Sequence, residues 1–169
     1  YLLSDDRQMV NIRYLNHNSD ITPDVIRQMK EPHALTNCMQ WLCWLVPKFS
    51  GPGGVAFPTF GRGTCAMYRN TYPLALDDPT EPGFSNNMSL VTFLHLGDIH
   101  IVFPGDLEPK GWRLLLANAN FQAELERVNV FVASHHGRST GYFAEVFGFC
   151  NPKVIIVSDG SVGYNTQDG

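Results

Sequence analysis

Asp106 and the adjacent pair His135-His136 are the side chains best placed in this sequence to do chemistry together. Asp106 follows the apolar run 99–103, and the histidines follow the apolar run 128–133. Each polar group stands where a buried strand is expected to end, and in layered α/β folds the ends of rigid strands are where sites are built. A carboxylate supplies hard oxygen and an imidazole borderline nitrogen, a donor pair suited to zinc, manganese or iron. Neighbouring residues on an extended backbone point to opposite sides. One histidine is therefore expected to face the site as ligand or proton donor, with the other packed or hydrogen-bonded behind it. The competing readings are a structural histidine pair, and for Asp106 a helix N-cap ahead of Pro109. Arg138 is a candidate to hold a substrate phosphate, with a solvated arginine the alternative, and Asp159 in Ser158-Asp159-Gly160 is a second candidate ligand. Glu108 reads as a first-turn residue favoured by the helix dipole.

The elements that must position these groups follow from periodicity and punctuation. Residues 89–96 and 99–103 read as antiparallel strands joined at Gly97-Asp98, a hairpin signal. Pro104-Gly105 stops the second strand, and Pro109 opens a helix through Trp112, Leu115 and Leu116 that continues or restarts at 121–127. Residues 128–133 and 153–157 are nearly all apolar, as strands covered on both faces are. Val130, Val132, Ile155 and Val157 are thus expected in the core, with a short helix at 142–149 between the two strands. Upstream, Thr22-Pro23-Asp24 starts a helix that Pro32 closes. A second helix from Thr36 to Pro47 carries Met39, Leu42, Cys43 and Val46 on one face, widened by Trp41, Trp44 and Leu45. It is expected to be heavily buried and to cover a sheet face. Residues 64–69 read as a strand and 71–88 as a loop. The glycine-rich stretch 50–63 is read as a loop over the site or a connector, and its Gly61-Arg62-Gly63 not as a phosphate cradle, since no strand precedes it and no helix follows.

Taken together, N-x-x-S-L-V at 86–91, G-D-L-E at 105–108, S-H-H-G at 134–137 and S-D-G at 158–160 resemble the C-terminal half of a metallo-β-lactamase-fold hydrolase. The nearest branch is the hydrolase domain of bacterial DNA-uptake (competence) proteins and their stand-alone relatives. The resemblance covers about residues 86–165 and implies an α/β fold of the αββα sandwich type, spread over a single domain 1–169 that is incomplete in its N-terminal half. It also implies a two-metal zinc site, or manganese, in which Asp106 bridges the metals and the S-H-H-G loop borders them. Asp106, His135, His136 and Asp159 are then the metal candidates, His135 and His136 the catalytic ones, and Arg138 the substrate-binding one. The family's first-half motif, H-x-H-x-D-H or D-x-D-H, occurs nowhere in the chain; the nearest stretch is Asn16-His17-Asn18-Ser19-Asp20. Tyr164-Asn165-Thr166-Gln167-Asp168 stands where the family has a late histidine. A partial polypeptide lacking the first metal-binding loop is the resulting expectation.

Composition sets outer limits. At 169 residues, 44% hydrophobic and 17% charged, the chain is globular in character and long enough for a core. A net charge of −4 argues against a broad nucleic-acid footprint. It leaves room for a narrow channel to a phosphodiester, because a bound metal brings its own positive charge. Cysteines 38, 43, 65 and 150 show no zinc-ribbon spacing and read as buried free thiols in a reducing, cytoplasmic setting. No apolar run reaches the ~20 residues of a membrane span. Gly97-Asp98-Ile99-His100 also resembles the D-x-H opening of two-metal phosphoesterases, but the required G-N-H is missing, which favours the hairpin turn. Two functional classes follow: a metal-dependent hydrolase of phosphodiester or ester bonds, small-molecule or nucleic acid, and a metal-free binding module of the same fold.

Overall fold

The computed structural model of the chain describes residues 17–29, 35–48, 63–71 and 83–159. The chain divides into two compact units, Tyr1–Phe57 and Pro58–Gly169. Gly61, Arg62 and Tyr164 to Asp168, like Asn16, lie outside the described residues.

In the first unit, helix α1 (Pro23–Gln28) begins as its sequence dictates. The Thr22 side chain accepts from the Val25 amide at 3.3 Å, proline occupies the first turn, and Asp24 pairs with Arg27 at 2.7 Å. Helix α2 (Asn37–Leu45) is capped by Thr36, and Pro47 converts its end into a 3₁₀ turn, Val46–Lys48. The expected heavy burial of α2 does not hold. Trp41 and Trp44 pack edge to face at 5.0 Å yet are 45% and 53% exposed, and Leu42 is exposed as well. Only Cys43 and Val46, three residues apart on one stripe, are inside. An apolar face wider than one stripe cannot all point the same way on a helix.

The second unit is built on a five-stranded mixed sheet in the order β1 (Thr64–Tyr68), β2 (Val91–Leu96), β3 (Ile99–Phe103), β4 (Val130–Val132) and β5 (Val154–Ile156). The first three strands form an antiparallel meander, and β4 and β5 add in parallel. Gly97 takes φ 60° in the β2–β3 turn, so the hairpin is as expected. The short helix α3 (Phe84–Asn87) falls inside a stretch expected to be loop. Helices α4 (Pro109–Leu116) and α5 (Ala119–Arg127) link β3 to β4; the segment before β5 forms only 3₁₀ turns, Ser139–Gly141 and Ala144–Gly148, where a helix was expected.

Period-2 alternation decides what each face holds. Val91 and Phe93 of β2, Val102 of β3 and Phe131 of β4 share one face through their register, and Trp112, Leu115, Phe121 and Leu125 of the two helices pack there. Trp112 is stacked on Phe131 at 6.1 Å, and Phe93 meets Phe121 edge to face at 5.4 Å. On the other face Leu94, Ile101, Val130 and Val132 are half-buried, while Ile99, Val154 and Ile156 are exposed. The core expected from β4 and β5 is corrected accordingly: Val130 and Val132 are only half-buried, and Ile155 and Val157 are 54% and 60% exposed. A continuous apolar run marks a strand able to be covered on both sides; among the described residues helices cover one face, which leaves Val130 and Val132 half-open, whereas Ile155 shares the covered face with Phe131 and is exposed on β5, the last strand of the sheet. No helix among the described residues is long and apolar enough to cross a membrane.

Candidate functional site

Two loops at the C-terminal ends of β3 and β4 make the site. The first, Gly105–Glu108, leaves β3 through Gly105 at φ 64°. The Ser89 hydroxyl accepts from the Asp106 amide at 3.1 Å, and a Cβ on Gly105 would stand 3.0 Å from that same oxygen. Asp106 is not the cap of α4; Glu108 occupies that position and makes no cap hydrogen bond with its own side chain. The cap comes from afar. The buried Asn87 side chain accepts from the amides of Glu108 (3.1 Å) and Gly111 (2.8 Å), and Asn70 donates to the Asn87 carbonyl at 2.8 Å. Asn87→Ala is expected to lower stability by about 1–3 kcal/mol, because two buried amides lose their acceptor. Urea unfolding checks this, and a change inside about 0.5 kcal/mol would refute the remote cap.

The second loop, Ser134–Gly137, is not the extended segment the sequence suggests. His135 and His136 both take positive φ, 48° and 60°, a left-handed conformation costing roughly 1–2 kcal/mol per non-glycine residue. Such strain persists only where the surroundings over-determine it. Here the His135 amide donates to the Gly105 carbonyl at 3.0 Å, and the Ser134 hydroxyl donates to the carbonyls of Leu107 and Gly105. Gly141 approaches so closely that a Cβ there would lie 2.6 Å from the Ser134 carbonyl oxygen. The two loops are thus tied to each other through their backbones.

The rings diverge, with centroids 6.3 Å apart. His135 is largely enclosed: Thr140 Oγ1 and Glu108 Oε1 lie 2.9 and 3.3 Å from its Nδ1, and Arg138 Nη1 lies 3.2 Å from its Nε2. A guanidinium only donates, so Nε2 spends its lone pair on Arg138 and the ring proton sits on Nδ1. His136 is half-exposed, and its Nδ1 lies 2.8 Å from the Ser158 carbonyl. A carbonyl only accepts, so Nδ1 carries the proton and Nε2 is left facing Asp106 Oδ1 at 3.4 Å. The structure therefore brings Asp106 and His136 together, turns His135 away toward Glu108, and fixes Arg138 beside His135. Asp159 is exposed, three residues past the end of β5. Among the described residues no group of three histidine, cysteine, aspartate or glutamate side chains is arranged to hold a metal ion. Asn18 and Asp20 form a turn before α1, with the Asn18 side chain accepting from the Asp20 amide at 3.1 Å.

Sequence reasoning missed four contributors. Glu108, read as a dipole residue, turns its carboxylate to Asn86 Nδ2 (2.9 Å) and His135. Asn86 and Ser89, which entered only through the resemblance, and Asn87, which no motif included, are the braces of the Gly105–Glu108 loop. A run of short polar residues just before an apolar strand was the available signal. No protein-family model matches this chain, and comparison with curated proteins and with solved structures yields no match either.

Proposed function

We propose that this chain carries part of the site of a metallo-β-lactamase-like, metal-dependent hydrolase acting on phosphodiester or ester bonds, with Asp106 and His136 as two of the metal ligands. The observation that carries this is the pairing of His136 Nε2 with Asp106 Oδ1 at 3.4 Å while His136 Nδ1 donates to a backbone carbonyl. A carbonyl on the far nitrogen is the arrangement that fixes a ligating imidazole. Two ligands about 2.1 Å from a zinc ion, at the tetrahedral angle, stand about 3.4 Å apart. The pair fits two corners of such a site. A catalytic zinc takes three protein ligands and keeps one position open, and Asp159 is our candidate for a further one.

When bound, zinc or manganese supplies a water acidified to a pKa of about 7 and a Lewis acid for the phosphoryl or carbonyl oxygen. The chain's own residues do the rest. Gly105–Glu108 and Ser134–Gly137 hold the two donors at fixed separation, and Ser158 sets the tautomer of His136. Arg138, anchored on His135, brings positive charge to the loop that a phosphodiester would approach. The half-covered apolar sheet supports the sandwich architecture, in which a second layer would lie on the face carrying Ile101, Val130 and Ile156. Cys43 and Cys150 are buried free thiols as expected, whereas Cys38 is exposed and Cys65 half-buried; free thiols fit a reducing cytoplasm.

Titration with Mn²⁺ followed by NMR tests the proposal. Paramagnetic broadening is expected first at the His136 ring and the Asp106 signals, and is expected to vanish there in His136→Ala. Broadening that starts elsewhere, or that is unchanged in the variant, would favour a metal-free binding module.

A further inference from the structure

A second cluster of titratable side chains lies away from the loops just described, on the core face of the β2–β3 hairpin. His95 and His100 are direct cross-strand partners, and their Nδ1 atoms stand 2.7 Å apart. On its other side His95 Nε2 is 2.9 Å from Glu124 Oε2 of α5, and His95 is only 8% exposed. The contact is a close ion-pair approach: neither atom meets hydrogen-bond geometry with any partner among the described residues, and Arg127 is the other charged group near the same Glu124 oxygen, at 3.6 Å. Donor and acceptor rules then fix the protons. A carboxylate only accepts, so His95 Nε2 carries a hydrogen; the neutral His95 ring offers a lone pair at Nδ1, and His100 Nδ1–H must donate to it. The hydrogen bond from His100 to His95, and the approach of His95 Nε2 to Glu124, join hairpin to helix.

We propose that His95, His100 and Glu124 form a proton-operated latch between the β2–β3 hairpin and helix α5, closed while the two imidazoles share at most one added proton and opened when both are protonated. One added proton is accommodated. It makes His95 an imidazolium beside Glu124, and His100 shifts its own proton to Nε2 and accepts at Nδ1. A second proton puts N–H against N–H and charge against charge at a separation that allows only one hydrogen. The two rings therefore titrate as a unit.

The surroundings reinforce this. The His100 backbone is held because its amide donates to Asn129 Oδ1 at 3.0 Å and Asn129 Nδ2 donates to the Asp98 carbonyl, so the strand cannot slide to separate the rings. From α5, Arg127 lies 3.6 Å from Glu124. From β1, Tyr68 faces the same carboxylate, and burial first, then the Glu124 charge, holds its phenol protonated. Burial pushes the His95 pKa below the ordinary imidazole value; Glu124 pulls it back up, while Arg127 and His100 push it down. A depressed pKa means that the neutral form is favoured by folding. The stabilisation is complete above the ordinary value of about 6.5 and is lost as pH falls through the lower folded-state value.

Nitrogen-detected NMR on the whole chain at pH 7.5 should find His95 protonated at Nε2 and His100 at Nδ1. The opposite tautomer on His100, or two rings that titrate independently, overturns the latch. Between pH 7.5 and 5, amide exchange in residues 121–127, corrected for intrinsic chemistry, should accelerate by at least about tenfold, the change that about 1.4 kcal/mol of lost stabilisation produces. His100→Asn keeps a polar group near the Nδ1 position and cannot titrate, so it should show little of this acceleration. Equal acceleration in His100→Asn and the parent chain overturns the proposal.

Discussion

Trp112→Ala is expected to lower the unfolding free energy by about 3–5 kcal/mol, the range for deleting a large buried aromatic. Trp112 is 1% exposed, stacks on Phe131 at 6.1 Å and approaches Phe121 at 6.2 Å, so its removal opens a cavity where α4 meets the sheet. Domains of this size are stable by only about 5–15 kcal/mol, so a loss of that order leaves a chain near its unfolding threshold. Ile99→Thr supplies the contrast. Ile99 is 51% exposed on the opposite sheet face, and its replacement should cost less than about 1 kcal/mol. Urea denaturation of both variants decides: equal losses would mean that the face carrying Ile99 is as well covered as the face carrying Trp112.

Asp106→Asn is expected to weaken metal binding by more than ~100-fold, since even the hydrogen-bond partners of ligands cost 10–100-fold when removed. Any metal-dependent phosphodiester turnover should fall with it. The fold should survive, because the Asp106 carboxylate is 45% exposed and its backbone amide, not its side chain, makes the bond to Ser89. Calorimetric titration with Mn²⁺, alongside far-ultraviolet circular dichroism, separates the two effects. Unchanged affinity in a folded Asp106→Asn chain would remove Asp106 from the ligand set and end the hydrolase proposal. Unfolding would instead show that the loop depends on the carboxylate.

Much of the scaffold was legible because it depends on local rules. Thr22-Pro23 starts α1, Gly97-Asp98 turns the hairpin, Pro109 opens α4, and the apolar runs become β3, β4 and β5. The encounter of Asp106 with a histidine was also readable, since parallel strands joined through helices bring their C-terminal ends side by side. Burial was not legible: Ile155, Val157 and Trp44 are apolar by sequence and exposed in the fold. Hydrophobicity records what a side chain can be covered by, and neighbours remote in sequence decide whether it is.

The sequence by itself determined the residue types at the site and the strand ends that carry them. Tertiary structure decided which histidine does what. Adjacent imidazoles on an extended backbone would alternate by parity, but the left-handed turn at His135-His136 breaks that parity. The turn is held by hydrogen bonds from Ser134 and His135 to carbonyls of residues 105 and 107, roughly thirty positions earlier. Its outcome depends on partners distant in the chain: the Ser158 carbonyl orients His136 toward Asp106, and Glu108, Thr140 and Arg138 enclose His135. The same holds for His95, His100 and Glu124. Hairpin register pairs the first two, but only the packing of α5 on the sheet delivers the carboxylate that orders their protons.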